Sequence, residues 1–352
     1  MKKVIFALAA VVALAACSQE DVIVADKGAA IGFDTFTNKA TRSVNNPSLT
    51  NDNLTNFAVY GTVTNDGATA HIFNHELVNK TIKNDELNKT EWKYEGTQYW
   101  IKGATYNFAA VAPYAVVAPF VASQTDIFNG SKTEFTFTSD AETDLLYAQT
   151  TATGAEAGKN AVVGFDFRHT LSKIKFSFKN SYNADNTSII VKNIQITNAP
   201  TVANAEFTAT TTLWKSHNTN AAIAFGDATD DEATTGVKES AVAAEQFVFE
   251  DTYESLNERF LIPAAVNEQS ELVSYEYLVN FDVELYIGTS KIATYEHRDV
   301  SLNFAPKVGT AYDVTTELTP ATIDPEASQD PIQFTVNVIP GWQNGTVGAL
   351  PL

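Results

Sequence analysis

The sequence predicts an all-β fold, because short stretches rich in β-branched and aromatic residues follow one another along most of the chain. Many of these stretches alternate apolar and polar residues, as half-buried antiparallel strands do. Clusters of glycine, asparagine, aspartate, threonine and proline separate them, and no long stretch keeps the apolar period of a helix. These three observations favour antiparallel β-sandwich domains with at most short helices.

The first element in chain order is an export signal at residues 1–16. Lys2 and Lys3 precede an apolar run, residues 4–16, which ends in small residues next to Cys17. The run has about 13 residues, too few for a membrane-spanning helix. Residues 14–17 resemble a bacterial lipobox, which predicts cleavage before Cys17 and attachment of diacylglycerol and palmitate there. The alternative is an ordinary cleaved signal with an incidental cysteine.

Residues 17–42 follow the signal, with the expected lipid on their first residue. Glu20 and Asp21 lie just after Cys17 and resemble the signal that sends lipoproteins to the outer face of the outer membrane; a solvated tether is the alternative. Further on, Ile31 and Phe33 alternate with polar or small residues, which predicts a short strand that ends near Phe36.

The remaining strand candidates are spread over two halves of the chain. A small, polar segment at 150–160 separates the halves, and a polar insertion at 226–232 interrupts the second. A mature length of about 330 residues predicts two domains, which we assign to 43–160 and 161–352, with one large β domain as the alternative. The strand candidates are 57–63, 99–101, 106–111, 134–138, 173–179, 189–191, 193–197, 277–286 and 332–338.

Charge and cysteine content exclude several classes of function. The net charge is −19, and it becomes more negative by two when the signal with its two lysines is removed. Such a chain is not expected to bind nucleic acid or anionic lipid, whose phosphates need Lys and Arg. Cys17 is the only cysteine, so its lipidation leaves no thiol for a disulfide or a nucleophile.

Three segments together carry a resemblance to a known family. They are 99–114, with Tyr-Trp-Ile-Lys-Gly and Tyr-Asn-Phe-Ala-Ala-Val-Ala-Pro-Tyr; 165–176, with Phe-Arg-His-Thr-Leu-Ser-Lys-Ile; and 332–338, followed by Gly341 and Trp342. With the lipobox, they resemble the fimbrillin family, the lipoprotein subunits of type V pili. The resemblance covers essentially the whole chain, and the run at 167–174 is its most specific part.

The resemblance implies two transthyretin-like β-sandwich domains with Greek-key antiparallel sheets. It also implies that an arginine-specific protease removes the lipidated segment together with an early strand. Matched to this sequence, the cut would follow Arg42 and leave Ser43 as the new N-terminus. The removed strand would include Ile31, Phe33 and Phe36, and its groove would accept a strand from the next subunit.

The resemblance places the donor strand in the C-terminal segment, residues 331–352. Ile332, Phe334, Val336 and Val338 are alternate residues expected on one face, which suits groove filling. The alternative is that this strand completes its own domain and only the residues after Trp342 reach a neighbour. Those residues include Val347 and Leu350 but also two glycines and a proline, which makes a weak strand.

The expected function is therefore that of a structural pilus subunit that serves cell adhesion. Head-to-tail strand addition builds a filament, so other pilus subunits are the expected partners. The outer membrane is a partner through the lipid before processing, and ligands on host or bacterial surfaces follow from adhesion. After processing, the expected location is the surface fimbrium.

The alternative function is a monomeric surface lipoprotein that binds glycans. This alternative is based on the aromatic segment 91–100, in which Trp92 and Trp100 would stack on sugars. Core and hairpin packing is the commoner use of such aromatic residues.

The sequence predicts no enzyme, no cofactor and no metal site. His71 and His75 lack the partners of a zinc motif, and His169, without a visible catalytic partner, is read as structural. The acidic residues of 227–232 lack EF-hand spacing and are read as a solvated loop. The sequence also contains neither a phosphate-binding loop nor a nucleophile elbow.

Overall fold

The structure is a computed structural model that describes residues 29–37, 49, 53–82, 89–114, 127–154, 162–182, 186–225, 247–248, 258–326, 331–339 and 342. Across these ranges every regular element is a β-strand, which confirms the all-β prediction. The described part holds no helix that is long and apolar enough to cross a membrane. The strands are β1 (Gly32–Thr37), β2 (Asn56–Asn65), β3 (Ala68–Ile82), β4 (Thr90–Tyr94), β5 (Thr105–Ala112), β6 (Thr133–Thr138), β7 (Leu146–Thr153), β8 (Val162–His169), β9 (Ser172–Asn180), β10 (Thr187–Phe207), β11 (Thr212–Ala224), β12 (Phe247–Val248), β13 (Arg259–Leu261), β14 (Tyr275–Ile287), β15 (Ser290–Phe304), β16 (Ala311–Leu318) and β17 (Thr335–Ile339).

A seven-stranded sheet contains most of the N-terminal half, in the order β1-β8-β7-β5-β2-β3-β4. Its neighbours are antiparallel except β1 and β8, which run parallel. Because β1 is an end strand of this order, one of its two edges is free of the main ladder. Backbone hydrogen bonds between residues 98–100 and residues 29–31 partly cover that edge.

Two five-stranded sheets form a sandwich in the C-terminal half. One has the order β11-β10-β14-β15 with β6 also on β10, and the other has β12-β9-β16-β17 with β13 also on β9. Side chains from both sheets meet in what we call the sandwich core. Its larger members include Phe176, Phe178, Tyr277, Phe281 and Val314.

The middle of the seven-stranded sheet, β2 and β5, is buried on both faces, which explains the continuous apolar runs of these two strands. On one face lies the N-terminal core, which includes Phe33, Phe57, Val59, Phe73, Trp100, Phe108 and Phe165. On the other face lies the central core, which joins the sheet to the C-terminal half. It includes Ala58, Tyr60, Tyr147, Phe207, Trp214, Phe260 and Trp342.

Strand pairing does not follow a division at residue 160. β8 comes after this residue and still belongs to the seven-stranded sheet, whereas β6 comes before it and pairs with β10. The segments 189–191 and 193–197 join into one strand, β10, with a register shift between Lys192 and Gln195. In contrast, the expected strand at 99–101 is reduced to an isolated bridge between Ala30 and Tyr99.

Candidate assembly site

The early segment expected to be removable lies in a groove between two parts of the N-terminal half. On one side, β1 pairs with β8 from Gly32↔Val162 to Thr37↔Phe167. On the other side, the Ile31 amide donates to the Gln98 carbonyl at 2.8 Å, and the Trp100 amide donates to the Ala29 carbonyl at 2.9 Å. Loss of this segment would therefore leave unpaired backbone groups on both walls, which is the state that a new strand can fill.

Phe33 is the main apolar anchor of this segment. Its side chain is 5% exposed, and that of Ile31 is 2% exposed. The Phe33 ring lies stacked on Phe165, with 5.7 Å between the centroids. Four further rings surround it at centroid distances of 5.4 to 6.5 Å: Phe57, Phe73, Tyr94 and Phe108. The backbone of Phe36 continues β1 opposite Asp166.

The walls of the groove are held by a glycine and a tyrosine. A Cβ at Gly61 would lie 3.0 Å from atoms of both Phe73 and Phe108, so glycine is what lets these rings approach β2. The Tyr94 hydroxyl donates to the Ile31 carbonyl at 2.9 Å and accepts from the Gln98 amide at 3.0 Å. Burial raises the pKa of the Tyr94 phenol, so it stays a hydrogen-bond donor at neutral pH.

The expected donor strand is built into its own domain. β17 pairs antiparallel with β16 from Ala311↔Ile339 to Thr315↔Thr335. Ile332 is buried in the sandwich core, and Phe334 and Val336 pack against that core. The expected face of alternate residues does not continue to Val338, which is 49% exposed. Its neighbour Ile339 packs against the central core instead.

Trp342 closes the described C-terminal region. Its side chain is 1% exposed and lies in the central core. The ring stacks on His169 and lies beneath the Lys173 ammonium, whose Nζ is 5.5 Å from the ring centroid. Ten residues, 343–352, follow it in the sequence.

The family-like run at 165–176 forms the junction between β8 and β9. Here the chain passes from the seven-stranded sheet to the sandwich, and several polar groups of the run bond to other parts of the chain. His169 Nδ1 donates to Asp144 Oδ2 at 2.6 Å, the Trp214 indole donates to the Thr170 carbonyl at 2.9 Å, and the Lys173 ammonium donates to Glu258 at 3.1 Å. The run is therefore a structural clamp.

The guanidinium of Arg168 is a further part of this clamp. Its guanidinium donates to the carbonyls of Ala209 at 2.9 Å, Thr211 at 2.9 Å and Thr208. Its Cζ also lies 5.1 Å from the ring centroid of Tyr147. Desolvation lowers the pKa of Arg168 from its ordinary value, although a guanidinium stays charged at any physiological pH.

The remaining sequence candidates show no convergent chemistry. His75 Nδ1 lies 2.7 Å from the Tyr60 hydroxyl, and its ring stacks on Tyr114, whereas His71 is exposed on the same strand. Within the described ranges, no three His, Cys, Asp or Glu side chains converge as a metal site requires.

The two tryptophans of the proposed glycan site pack inward. Trp100 is 5% exposed in the N-terminal core, and its ring lies 4.6 Å from that of Tyr106. Trp92 packs half-buried against Phe57 at 4.9 Å. Trp100 therefore offers no face to a sugar, and its position favours the expected core packing.

Some predicted residues lie outside the described residues. These are Cys17, Arg42, Ser43, Val347, Leu350 and the acidic loop 227–232.

Comparison with known proteins gives a match to one family and to several solved structures. The model of the fimbrillin-like family matches residues 41–338. No curated protein matches the sequence significantly. A fimbrial protein from Bacteroides vulgatus has a similar structure, with a TM-score of 0.51 and 16% identity over 89% of this chain and 99% of its own. A putative cell adhesion protein from Bacteroides uniformis gives a TM-score of 0.44 and 14% identity over 91% of this chain and 99% of its own.

Proposed function

This chain belongs to the fimbrillin-like family and is a non-enzymatic structural protein; from this premise we propose that it is a subunit of a type V pilus that serves adhesion. In the proposed pathway it is exported as an outer-membrane lipoprotein through Cys17. A protease then cuts after Arg42, the segment with β1 leaves, and a strand from another subunit enters the groove.

The observation that carries this proposal is the position of Phe33. A residue that precedes Arg42 by only nine positions fills the middle of the N-terminal core, with five aromatic rings around it. A cut at Arg42 would therefore free an element whose loss opens an apolar groove with unpaired edges. The family match, which begins at residue 41, agrees with a body that starts beside Arg42.

The distribution of arginines supports a selective cut. The sequence has four arginines, and Arg168, Arg259 and Arg298 all lie within strands. Strand residues are poor protease substrates because their backbone is held in a ladder, and cleavage concentrates in exposed polar loops. Arg42 is the arginine of the polar segment that the sequence predicts as a loop.

The donor is proposed to start after Trp342. Release of β17 would break its ladder with β16 and withdraw Ile332 and Phe334 from the sandwich core. By contrast, residues 343–352 can extend about 33 Å as a strand, longer than the six-residue pairing of β1 with β8. We therefore assign donation to the tail with Val347 and Leu350, and leave Ile332, Phe334, Val336 and Val338 to their own domain.

The test is the N-terminus of the protein in sheared surface appendages. We expect wild-type protein in that fraction to begin at Ser43, and the Arg42→Ala variant to stay in the membrane fraction. Lys39→Ala is the matched control, because it removes a nearby positive charge in the same polar segment and should leave assembly intact. Recovery of wild-type protein only as an acylated chain that begins at Cys17 would contradict the proposal.

A further inference from the structure

The groove under β1 has three inward positions of different sizes. Ile31, Phe33 and Thr35 are all 5% exposed or less, whereas Gly32 is half-buried and Asp34 is exposed. A strand in this groove therefore presents a large aliphatic residue, an aromatic residue and a small residue at alternate positions. The backbone ladders on both walls set this register.

The middle position has the size and shape of an aromatic ring. Its walls are rings on β2, β3, β4, β5 and β8, and Gly61 keeps space open for two of them. A smaller side chain there would leave a cavity inside a packed core, which lowers stability both by lost burial and by the void itself. The pocket around Phe33 should therefore discriminate strongly between aromatic and smaller residues.

Residues 343–352 cannot supply that residue. Residues 343–352 contain no aromatic side chain, and their large apolar residues are Val347, Leu350 and Leu352. If Leu350 and Leu352 point into the groove, Pro351 lies between them and has no backbone amide to donate to the ladder. If Val347 points into the groove, the next inward residue is Ala349, which is small.

Another segment of this chain has the same aliphatic and aromatic spacing as β1, but it is packed into its own domain. Ile332-Gln333-Phe334 repeats the spacing of Ile31-Gly32-Phe33. The Phe334 ring lies 5.7 Å from Phe176 and 6.3 Å from Phe281, inside its own domain. A second copy could donate this segment only by opening its own sandwich core.

We propose that the vacated groove receives a strand from a different subunit, with an aromatic residue at the Phe33 position and a large aliphatic residue at the Ile31 position. This subunit is then matched to a heterologous neighbour on its groove side and does not polymerise with itself. The inference rests on the proposed function, because β1 must leave before any other strand enters.

The experiment measures strand affinity for the full chain after arginine-specific cleavage and removal of the released segment. Labelled peptides of residues 29–37, the same peptide with Phe33→Ala or Phe33→Leu, and residues 343–352 are titrated and followed by fluorescence polarisation. We expect Phe33→Ala to weaken binding about 100-fold or more, in line with large-to-small changes in cores. The tail peptide should bind at least as weakly, and Val347→Phe in that peptide should recover affinity.

The matched control is the 29–37 peptide with Asp34→Ala, since Asp34 is exposed and should leave the affinity within a few-fold of the parent. A tail peptide that binds as tightly as the 29–37 peptide overturns the inference and leaves the groove, and hence the proposed function, intact. If even the 29–37 peptide fails to bind, the groove itself does not accept strands, and both proposals fall.

Discussion

Trp342 stacks on His169, with 4.5 Å between the ring centroids and 29° between the planes. This contact joins the C-terminal end of the described chain to the junction between the seven-stranded sheet and the sandwich. It fixes the point from which residues 343–352 continue. A tail that starts at a rigid point can be offered to a neighbour without loosening the fold.

The first prediction concerns Trp342 itself. Trp342→Ala should lower the free energy of unfolding by about 3–5 kcal/mol, because the indole is 1% exposed and its removal leaves a cavity between the two halves. Urea denaturation followed by far-UV circular dichroism measures the loss. Trp92→Ala is the matched control and should cost clearly less, since Trp92 is only half-buried. Equal losses for the two variants would show that Trp342 does not join the halves.

The second prediction concerns the carboxylate beneath this stack. Asp144 Oδ2 accepts hydrogen bonds from His169 Nδ1 at 2.6 Å and from the Leu49 amide at 3.1 Å. The side chains of Asp144 and His169 are both buried. Asp144→Asn keeps the shape but removes the charge that strengthens both bonds, so we expect a loss of about 1–3 kcal/mol in the free energy of unfolding. Asp66→Asn in an exposed turn is the control and should be close to neutral. An unchanged unfolding midpoint for Asp144→Asn would mean that the pair does not hold the clamp.

The third prediction concerns the guanidinium group of Arg168. Arg168→Lys should lower the free energy of unfolding by about 1–3 kcal/mol, because one ammonium cannot reach the carbonyls of Thr208, Ala209 and Thr211 together. Hydrogen exchange should rise in the turn that joins β10 and β11. The control is Arg298→Lys, where the side chain is 43% exposed and a lysine can keep an ion pair with Asp282 or Glu296. Exchange in the turn that stays at the wild-type rate would contradict the clamp.

The strands that the sequence predicts are those with dense apolar residues. Examples are the core strands β2, β5, β9 and β14. Their aromatic and β-branched residues identify them as strands even when the neighbouring strand is unknown. The sequence does not predict β3 and β15, because most of their side chains face solvent and polar residues interrupt the alternation of apolar and polar positions. Their pairing comes from hairpin neighbours, which composition alone does not reveal.

The site was predictable in its elements but not in its arrangement. Alternation at Ile31 and Phe33 indicated a buried strand, yet nothing local indicates that β1 runs parallel to β8. In the same way, the sequence shows no partner for His169, because Asp144, to which its ring is bonded, lies 25 residues earlier. Contacts of this kind depend on how separate strands meet, which a single sequence does not encode locally.

The last prediction concerns pH and Glu206. Its carboxylate lies 2.6 Å from Lys215 and 3.0 Å from Lys132, and hydrogen bonds to these ammonium groups lower its pKa to about 2. A carboxyl whose pKa is lower in the folded state stabilises the fold above its unfolded pKa and loses that effect as pH falls. The contribution should therefore be complete near pH 6 and disappear between about pH 5 and pH 2.

Glu206→Gln should thus destabilise the protein at pH 7 and have little effect at pH 2. The loss at pH 7 should be about 1 kcal/mol or less, because the network lies near solvent and water screens it. Urea unfolding of both proteins across this pH range gives the difference directly, and it should shrink as salt is added. Glu296→Gln is the matched control, since the side chain of Glu296 is 69% exposed and forms an ion pair with Arg298. A Glu206→Gln difference that stays constant from pH 7 to pH 2 would show that the two lysines do not hold this carboxylate in its charged form.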